Sequence, residues 1–201
     1  MLLLADVPAA NHALAAGALR CPHRDCGGRL APWGWARRRT VRVAPGTTEH
    51  YTPRRGRCRG CGRTQVLAST RTFPRHPDTA VTVGTALLAA VEGLGHRRVA
   101  ERVGLPATTV RGWLRRARSN SDHLCSFAYR WSVTLDPMTD PSRPTGTALG
   151  DLVEAVGTAT AAWVRHFGPV AEPWNLAVTV TAGLLLAPPG PSWLHHPLDS
   201  T

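Results

Sequence analysis

Two cysteine pairs constrain what this chain can fold into more than any other feature. Cys21 and Cys26 form the first pair, and Cys58 and Cys61 form the second. Each pair places two sulfurs on a tight turn, and the glycines after Cys26 and Cys61 allow the positive φ by which a backbone folds around a metal ion. Four thiolates suit Zn²⁺ in a closed tetrahedral site. The pattern therefore predicts one structural zinc ion per chain.

The first pair leaves one alternative open for the ligand set. Four residues separate Cys21 from Cys26, whereas two are usual in such turns. His23 lies three positions before Cys26 and could replace Cys21 as a ligand. The chain start lacks the basic segment of a secretory signal, so we expect a cytoplasmic, nucleoid-associated protein whose cysteines bind metal rather than form disulfides. Cys125, the fifth cysteine, is expected to be a small buried thiol.

The charge of the chain is strongly uneven. No lysine occurs, and residues 1–120 hold 21 arginines against 6 acidic residues, whereas residues 121–201 hold 3 against 7. A positive field of this size attracts polyanions, of which nucleic acid is the commonest soluble example. No apolar run reaches the roughly 18 to 20 residues that span a bilayer, and no small-molecule substrate site is evident.

The periodicity of apolar residues and the positions of proline and glycine predict an α+β fold in five segments. Short β-type stretches at 39–43, 49–52 and 64–67, with a hairpin tip at 45–46, follow the first cysteine pair, and helical periodicity begins near Asp78. The predicted segments are an N-terminal strand and helix (1–20), a small β zinc ribbon (21–74), a three-helix helix-turn-helix unit (78–120), a helix with a Pro-rich connector (121–145) and a helical packing or dimerisation region (146–201).

Residues 96–115 fit the twenty-position helix-turn-helix pattern. The pattern requires a small residue where the helices approach, here Ala100, and a glycine where the turn becomes left-handed, here Gly104. The five apolar positions are also filled, by Val99, Val103, Leu105, Val110 and Trp113. Residues 85–94 would supply the preceding helix. Some helix-turn-helix units only pack against other elements and bind no DNA, and the sequence leaves this alternative open.

The second helix of this unit is expected to enter the major groove of double-stranded DNA. Arg111 is the candidate for a bidentate contact to guanine, and Thr108 could contact a base edge or a phosphate. Arginines at the helix ends and in the predicted ribbon are expected to grip phosphates. These phosphate candidates are Arg97, Arg98, Arg115, Arg116, Arg118, Arg37, Arg38 and Arg39. Trp33 and Trp35 lie among the ribbon arginines, and we expect them to pack over the sheet rather than to stack on bases.

The order of these motifs resembles a known layout. The stretches CPHRDCGGRLAPWG, PRRGRCRGCGRTQVL and VAERVGLPATTVRGWLRRAR resemble uncharacterised zinc-ribbon plus helix-turn-helix proteins of high-GC bacteria. They are also similar in layout to the N-terminal DNA-binding part of insertion-element transposases. That resemblance covers about residues 15 to 120 and implies DNA binding, with the four cysteines as zinc ligands.

The remaining chain departs from such transposases, which continue into a long catalytic domain of the ribonuclease-H type. Residues 147–167 and 173–186 are instead predicted as two apolar helices, and their excess of apolar face suggests a homodimer. The leading hypothesis is a non-enzymatic, sequence-preferring DNA-binding protein, either a regulator or a transposon-derived accessory. The alternatives are a degenerate or minimal transposase, for which Asp136 or Asp151 would be needed, and a ribbon module that binds RNA or protein.

Overall fold

The structure is a computed structural model that describes residues 1–140 and 143–188. It is α+β, with strands in the N-terminal part followed by helices. The strands are β1 (Leu2–Leu4), β2 (Leu30–Trp35), β3 (Arg39–Ala44), β4 (Thr47–Tyr51), β5 (Arg54–Cys58) and β6 (Thr64–Ser69). The helices are α1 (Val7–Ala15), α2 (Ala80–Val91), α3 (His96–Val103), α4 (Ala107–Leu135), α5 (Ala148–Phe167) and α6 (Pro173–Val180).

The chain divides into two compact units. The first unit includes residues 1–40 and 50–69, and the second includes residues 41–49 and 70–188. The contacts therefore divide the described residues into two units, whereas the sequence predicted five consecutive segments. Most of the β3–β4 hairpin, which the sequence assigned to the ribbon, groups with the helices of the second unit.

The first unit is built on a four-stranded sheet with the order β1-β6-β5-β2. β1 runs parallel to β6, while β5 is antiparallel to both β6 and β2. Helix α1 begins after Asp6, whose carboxylate accepts the Ala9 N–H at 2.8 Å and caps the helix. The core under this helix is small and consists of Ala10, Leu14, Leu30, Cys58 and Leu67.

Strands β2 and β5 were not predicted, because neither shows alternation of apolar and polar residues. β5 is made of three arginines, Gly56 and Cys58, yet it lies between two other strands of the sheet. A Cβ on Gly56 would lie 2.9 Å from Leu14 Cδ1, so glycine lets the core approach the backbone. The strand is held by backbone ladders to both neighbouring strands, and Cys58 is its one side chain in the core cluster.

The β3–β4 hairpin turns at Gly46, which has a φ of 72° and matches the predicted hairpin tip. Within the second unit, β3 is held by a bidentate ion pair. Arg42 Nε and Nη2 each donate to the Asp78 carboxylate at 2.8 Å, and the Asp78 side chain is only 2% exposed. The sequence pattern gave no sign of this pair, since the two residues lie 36 positions apart.

Helices α3 and α4 are joined by a turn in which Gly104 is left-handed, with φ 66° and ψ 36°. A Cβ at this position would lie 2.8 Å from Cγ of Pro45, at the hairpin tip. Position 104 therefore needs glycine both for its backbone conformation and for the close approach of Pro45. Helix α4 continues without a break to Leu135, so the boundary predicted at residue 120 falls inside one helix.

Helices α5 and α6 complete the second unit by packing on α4 and α2. Helix α5 starts after Thr147, whose hydroxyl accepts the Gly150 N–H, and α6 packs Trp174 against Gly84 of α2. Helix α6 ends at Val180 rather than at residue 186, because Ala182 and Gly183 take positive φ. No helix among the described residues has both the length and the apolar character needed to cross a membrane. The end of the predicted 146–201 region, from residue 189, lies outside the described residues.

Candidate metal centre and nucleic-acid interface

The four predicted cysteine ligands converge in the first unit. Their sulfurs all lie within 4.8 Å of one another, with 3.4 Å between Cys26 and Cys58 and 3.8 Å between Cys21 and Cys61. A tetrahedral ion with metal–sulfur bonds near 2.3 Å places its sulfurs about 3.8 Å apart. The cysteine cluster, defined as these four residues, could therefore hold one metal ion. Cys21 belongs to this cluster, and His23 does not.

The backbone of both turns is shaped for this convergence. Gly27 and Gly62, which follow the second cysteine of each pair, have φ of 57° and 70°, as the glycine positions predicted. Gly28 was not singled out from the sequence, but a Cβ there would lie 2.8 Å from Cys58 Sγ and 3.1 Å from Cys26 Sγ. Only glycine leaves room for the sulfurs at that position, and the second glycine of the Cys26-Gly-Gly stretch was the available signal.

Hydrogen bonds and burial shift the pKa values of Cys58 and Cys21 in opposite directions. The N–H groups of Cys61 and Gly60 point at Cys58 Sγ from 3.5 and 3.3 Å. Together with hydrogen bonds from the thiols of Cys26 and Cys21, and against the effect of burial, they lower the pKa of the Cys58 thiol to about 6. Burial instead raises the pKa of Cys21 to about 12 when no cation is present. Backbone N–H groups that stabilise a thiolate favour cation binding, because the thiolate is the form that ligates a metal. Cys125 is separate from the cluster; it is partly rather than fully buried, and burial raises its pKa.

In the second unit, the start of α4 presents a basic outer face. Val110 and Trp113 are buried, whereas Thr108, Arg111 and Arg115 are exposed. No acidic residue occurs in the first turn of α4. The other predicted phosphate contacts on these helices are also at the surface, with Arg116 half-buried and Arg97, Arg98 and Arg118 exposed.

Other arginines nearby are occupied by acidic partners. Arg102 donates to Glu92 at 3.1 Å, and Arg42 is held by Asp78. Within the described residues, no ion pair is formed by Arg97, Arg98, Arg111 or Arg115. The structure thus separates arginines that stabilise the fold from arginines whose charge faces solvent.

The predicted ribbon arginines Arg37 and Arg38 are exposed, and Arg39 is half-buried. The expectation that Trp33 and Trp35 pack over the sheet is wrong, because their exposed fractions are 50% and 58%. A register shift between Pro32 and Trp35, with Gly34 at a φ of 75°, alters the alternation of side chains along β2. The sequence signal for this bulge was the glycine between the two tryptophans.

The two carboxylates that the transposase alternative would require, Asp136 and Asp151, accept hydrogen bonds from nearby residues. Asp136 accepts from Arg165 at 3.0 Å, which lowers the pKa of Asp136, and Asp151 accepts the Thr145 N–H at 2.6 Å. Within the described part of the chain, the cysteine cluster is the one group of three or more candidate metal ligands. Comparisons with protein-family models, with curated proteins and with solved structures found no match to this chain.

Proposed function

We propose that this protein binds double-stranded DNA with sequence preference, as a regulator or a transposon-derived accessory, and has no catalysis of its own. In this proposal α2, α3 and α4 form a helix-turn-helix unit and α4 lies in the major groove. The observation that carries the proposal is the exposed face formed by Thr108, Arg111 and Arg115 immediately after the left-handed turn at Gly104.

The charge on that face supports a polyanionic partner. Arg111 and Arg115 are four residues apart on one side of α4, and like charges at this spacing destabilise a helix unless a counter-charge lies nearby. No acidic residue follows in α4 until Asp122. Gly112 lies between the two arginines, and its missing side chain would let the helix backbone come close to the edges of bases.

A binding-site selection from random duplex DNA tests the proposal. We expect a defined motif, and we expect Arg111→Ala to weaken binding to that motif by about 1 to 3 kcal/mol through loss of a contact to guanine. Arg143→Ala is the control, because it removes one exposed charge outside the helices. Recovery of random sequences, or equal loss on selected and scrambled duplexes for Arg111→Ala, would contradict sequence preference.

The same proposal assigns one structural Zn²⁺ to the cysteine cluster. The core cluster under α1 has only five buried side chains, one of which is Cys58, and this small size supports a need for metal binding to hold the turns together. Elemental analysis should give one zinc per chain. The double variant Cys58→Ala, Cys61→Ala should lose the metal, while Cys125→Ala should retain it. Full occupancy in the double variant would refute the assignment.

The expected homodimer belongs to this proposal as well. The second unit carries an apolar groove between α2, α5 and α6, lined in part by Leu88, Val153, Ala161 and Val164. Leu88 is 42% exposed there. Two helix-turn-helix units related by a two-fold axis would read half-sites about one turn of DNA apart. Sedimentation should show a dimer at micromolar concentration, and a monomer both with and without DNA would refute it.

A further inference from the structure

Among the described residues of the first unit, two tryptophans are exposed, and the duplex binding proposed for α4 does not use them. Trp33 and Trp35 lie on β2, and each exposes half or more of its side chain. Tryptophan has a large apolar surface that is usually buried, and neighbouring exposed aromatic rings mark binding surfaces. The two pairs Trp33 with Arg57 and Trp35 with Arg54 are therefore candidate binding sites, and together they are called the platform below.

Each tryptophan ring is stacked by an arginine from the adjacent strand β5. The guanidinium carbon of Arg57 lies 4.6 Å from the centroid of Trp33, and that of Arg54 lies 4.6 Å from the centroid of Trp35. Such stacking holds an indole in one orientation and places a positive charge beside it. The rings are thereby ordered before any partner arrives, which lowers the entropic cost of binding.

The backbone between the rings is open. Gly34 separates the two tryptophans at the β2 bulge, and a Cβ built on it would meet no atom within 4 Å. The surface at Gly34 is therefore unobstructed for a partner chain.

The platform is connected to the cysteine cluster. Arg57 Nε donates to the carbonyl of Gly62 at 3.2 Å, and Gly62 directly follows Cys61. The turn that carries two of the cysteines thus fixes the arginine that stacks on Trp33. Loss of the metal should loosen the platform through this hydrogen bond.

The charge around the platform selects the class of partner. Residues 1–40 and 50–69 contain eleven arginines against two acidic residues, Asp6 and Asp25. Ring faces flanked by guanidinium groups match a chain that carries both flat bases and phosphates. An acidic peptide would satisfy the arginines but would leave the ring faces unused, and a duplex keeps its base faces stacked inside the helix. We infer that the platform binds unpaired bases of single-stranded nucleic acid.

The test compares strands of equal charge with and without bases. Fluorescence anisotropy of the zinc-loaded full chain would be measured with oligothymidine, oligouridine and an abasic strand, each of about 15 nucleotides. The wild type should bind at least one base-bearing strand about tenfold or more tighter than the abasic strand, since stacking acts only when bases are present. In Trp33→Ala, Trp35→Ala this preference should fall to near unity, and phenylalanine at both positions should restore part of it.

Two control variants separate this proposal from duplex binding. Phe167→Ala removes an aromatic side chain that is 60% exposed in the second unit, and it should leave the preference unchanged. Arg111→Ala should weaken the selected duplex but not oligothymidine. Zinc content and circular dichroism would verify that the double tryptophan variant is folded. Equal wild-type affinity for abasic and base-bearing strands, or a folded double variant with unchanged preference, would overturn the proposal whatever the outcome of the duplex experiments.

Discussion

At the residue scale, two helical glycines should respond in opposite ways to the same substitution. Gly84 of α2 is buried against the ring of Trp174, so Gly84→Ala inserts a methyl group where the helices are in contact and should destabilise the protein by about 1 to 3 kcal/mol. Gly157 of α5 is exposed, and a Cβ there would meet no atom within 4 Å. Gly157→Ala should stabilise by about 0.5 to 1 kcal/mol, because alanine favours helix.

Urea unfolding of both variants checks this difference. A stabilised Gly84→Ala would mean that α6 can move away from α2 without cost, and a destabilised Gly157→Ala would mean that α5 makes a contact at that position. Both variants keep the net charge of the chain, so the comparison is free of electrostatic effects.

His76 gives the fold a dependence on pH. Burial lowers the pKa of its imidazole below the ordinary 6.5, and the charge of Arg116 acts in the same direction, while the Leu186 carbonyl and the charge of Asp78 act against it. Below pH 6.5 the unfolded chain therefore binds a proton that the folded chain does not, and stability should fall as pH falls. The free energy of unfolding between pH 7 and 5 should decrease less in His76→Gln. An identical decrease in the variant would exclude His76 as the source.

The pKa values of Asp136 and Asp151 are also lowered, from an ordinary 3.8, by Arg165 and by the Thr145 N–H and hydroxyl respectively. Their contributions to stability are present above pH 3.8 and are lost as pH falls further through the folded pKa values. The window from pH 7 to 5 thus lies above the titration of these two carboxyls.

Single residues with strong stereochemical requirements could be predicted from the sequence, and residues defined by distant partners could not. The left-handed Gly104 and the positive φ of Gly27 and Gly62 follow from local spacing. Pro45, which packs against Gly104, lies 59 positions away in the sequence. No local pattern contains that contact, because it depends on how the hairpin folds onto the helices.

At the element scale, the β3–β4 hairpin depends on the Arg42–Asp78 pair. Arg42→Ala would leave a buried carboxylate without its bidentate partner and should destabilise the protein by about 2 to 3 kcal/mol. The cost is below that of a fully buried pair because Arg42 is 41% exposed. Thermal or urea unfolding measures it, and Asp78→Ala in the same chain should recover part of the loss.

The same hairpin supplies a matched control. Glu49 of β4 pairs with Arg71 at 2.8 Å, but both side chains are about half exposed, at 52% and 50%. Glu49→Ala should therefore cost less than about 1 kcal/mol. Equal effects of Arg42→Ala and Glu49→Ala would show that burial of Asp78 does not determine the strength of its pair.

Helices and strands were predicted where apolar side chains recur at regular spacing. They were missed where backbone hydrogen bonds, rather than a side-chain pattern, determine the structure. Helices α2, α3 and α5 have apolar stripes, and their positions agree with the sequence pattern. β5 has no apolar stripe in its sequence. Its position in the sheet depends on backbone hydrogen bonds to the strands on both sides. The length of α4 was missed because residues 118–120 are polar, although Asn120 is buried and donates to the carbonyls of Leu184, Leu185 and Ala187.

At the scale of the whole molecule, positive charge occurs in both units. The first unit contains eleven arginines in residues 1–40 and 50–69, and residues 70–120 of the second contain nine against three acidic residues. Within residues 1–140 and 143–188, only the second unit presents arginines on a helix that follows a left-handed turn. We therefore expect the two units to contribute differently to binding of duplex DNA, with α4 providing sequence preference and the first unit providing grip on phosphates.

Arg37, Arg38 and Arg39 test this division. If each neutralises one phosphate, changing all three to alanine releases three fewer counterions, and the slope of log affinity against log salt should become shallower by about 2.7. Because a phosphate is the same at every base pair, selected and scrambled duplexes should weaken alike, whereas Arg111→Ala should weaken the selected duplex more. Parallel salt titrations of both variants measure these effects. The division fails if the triple variant changes sequence preference while its salt slope stays at the wild-type value, since those arginines would then contact bases rather than phosphates.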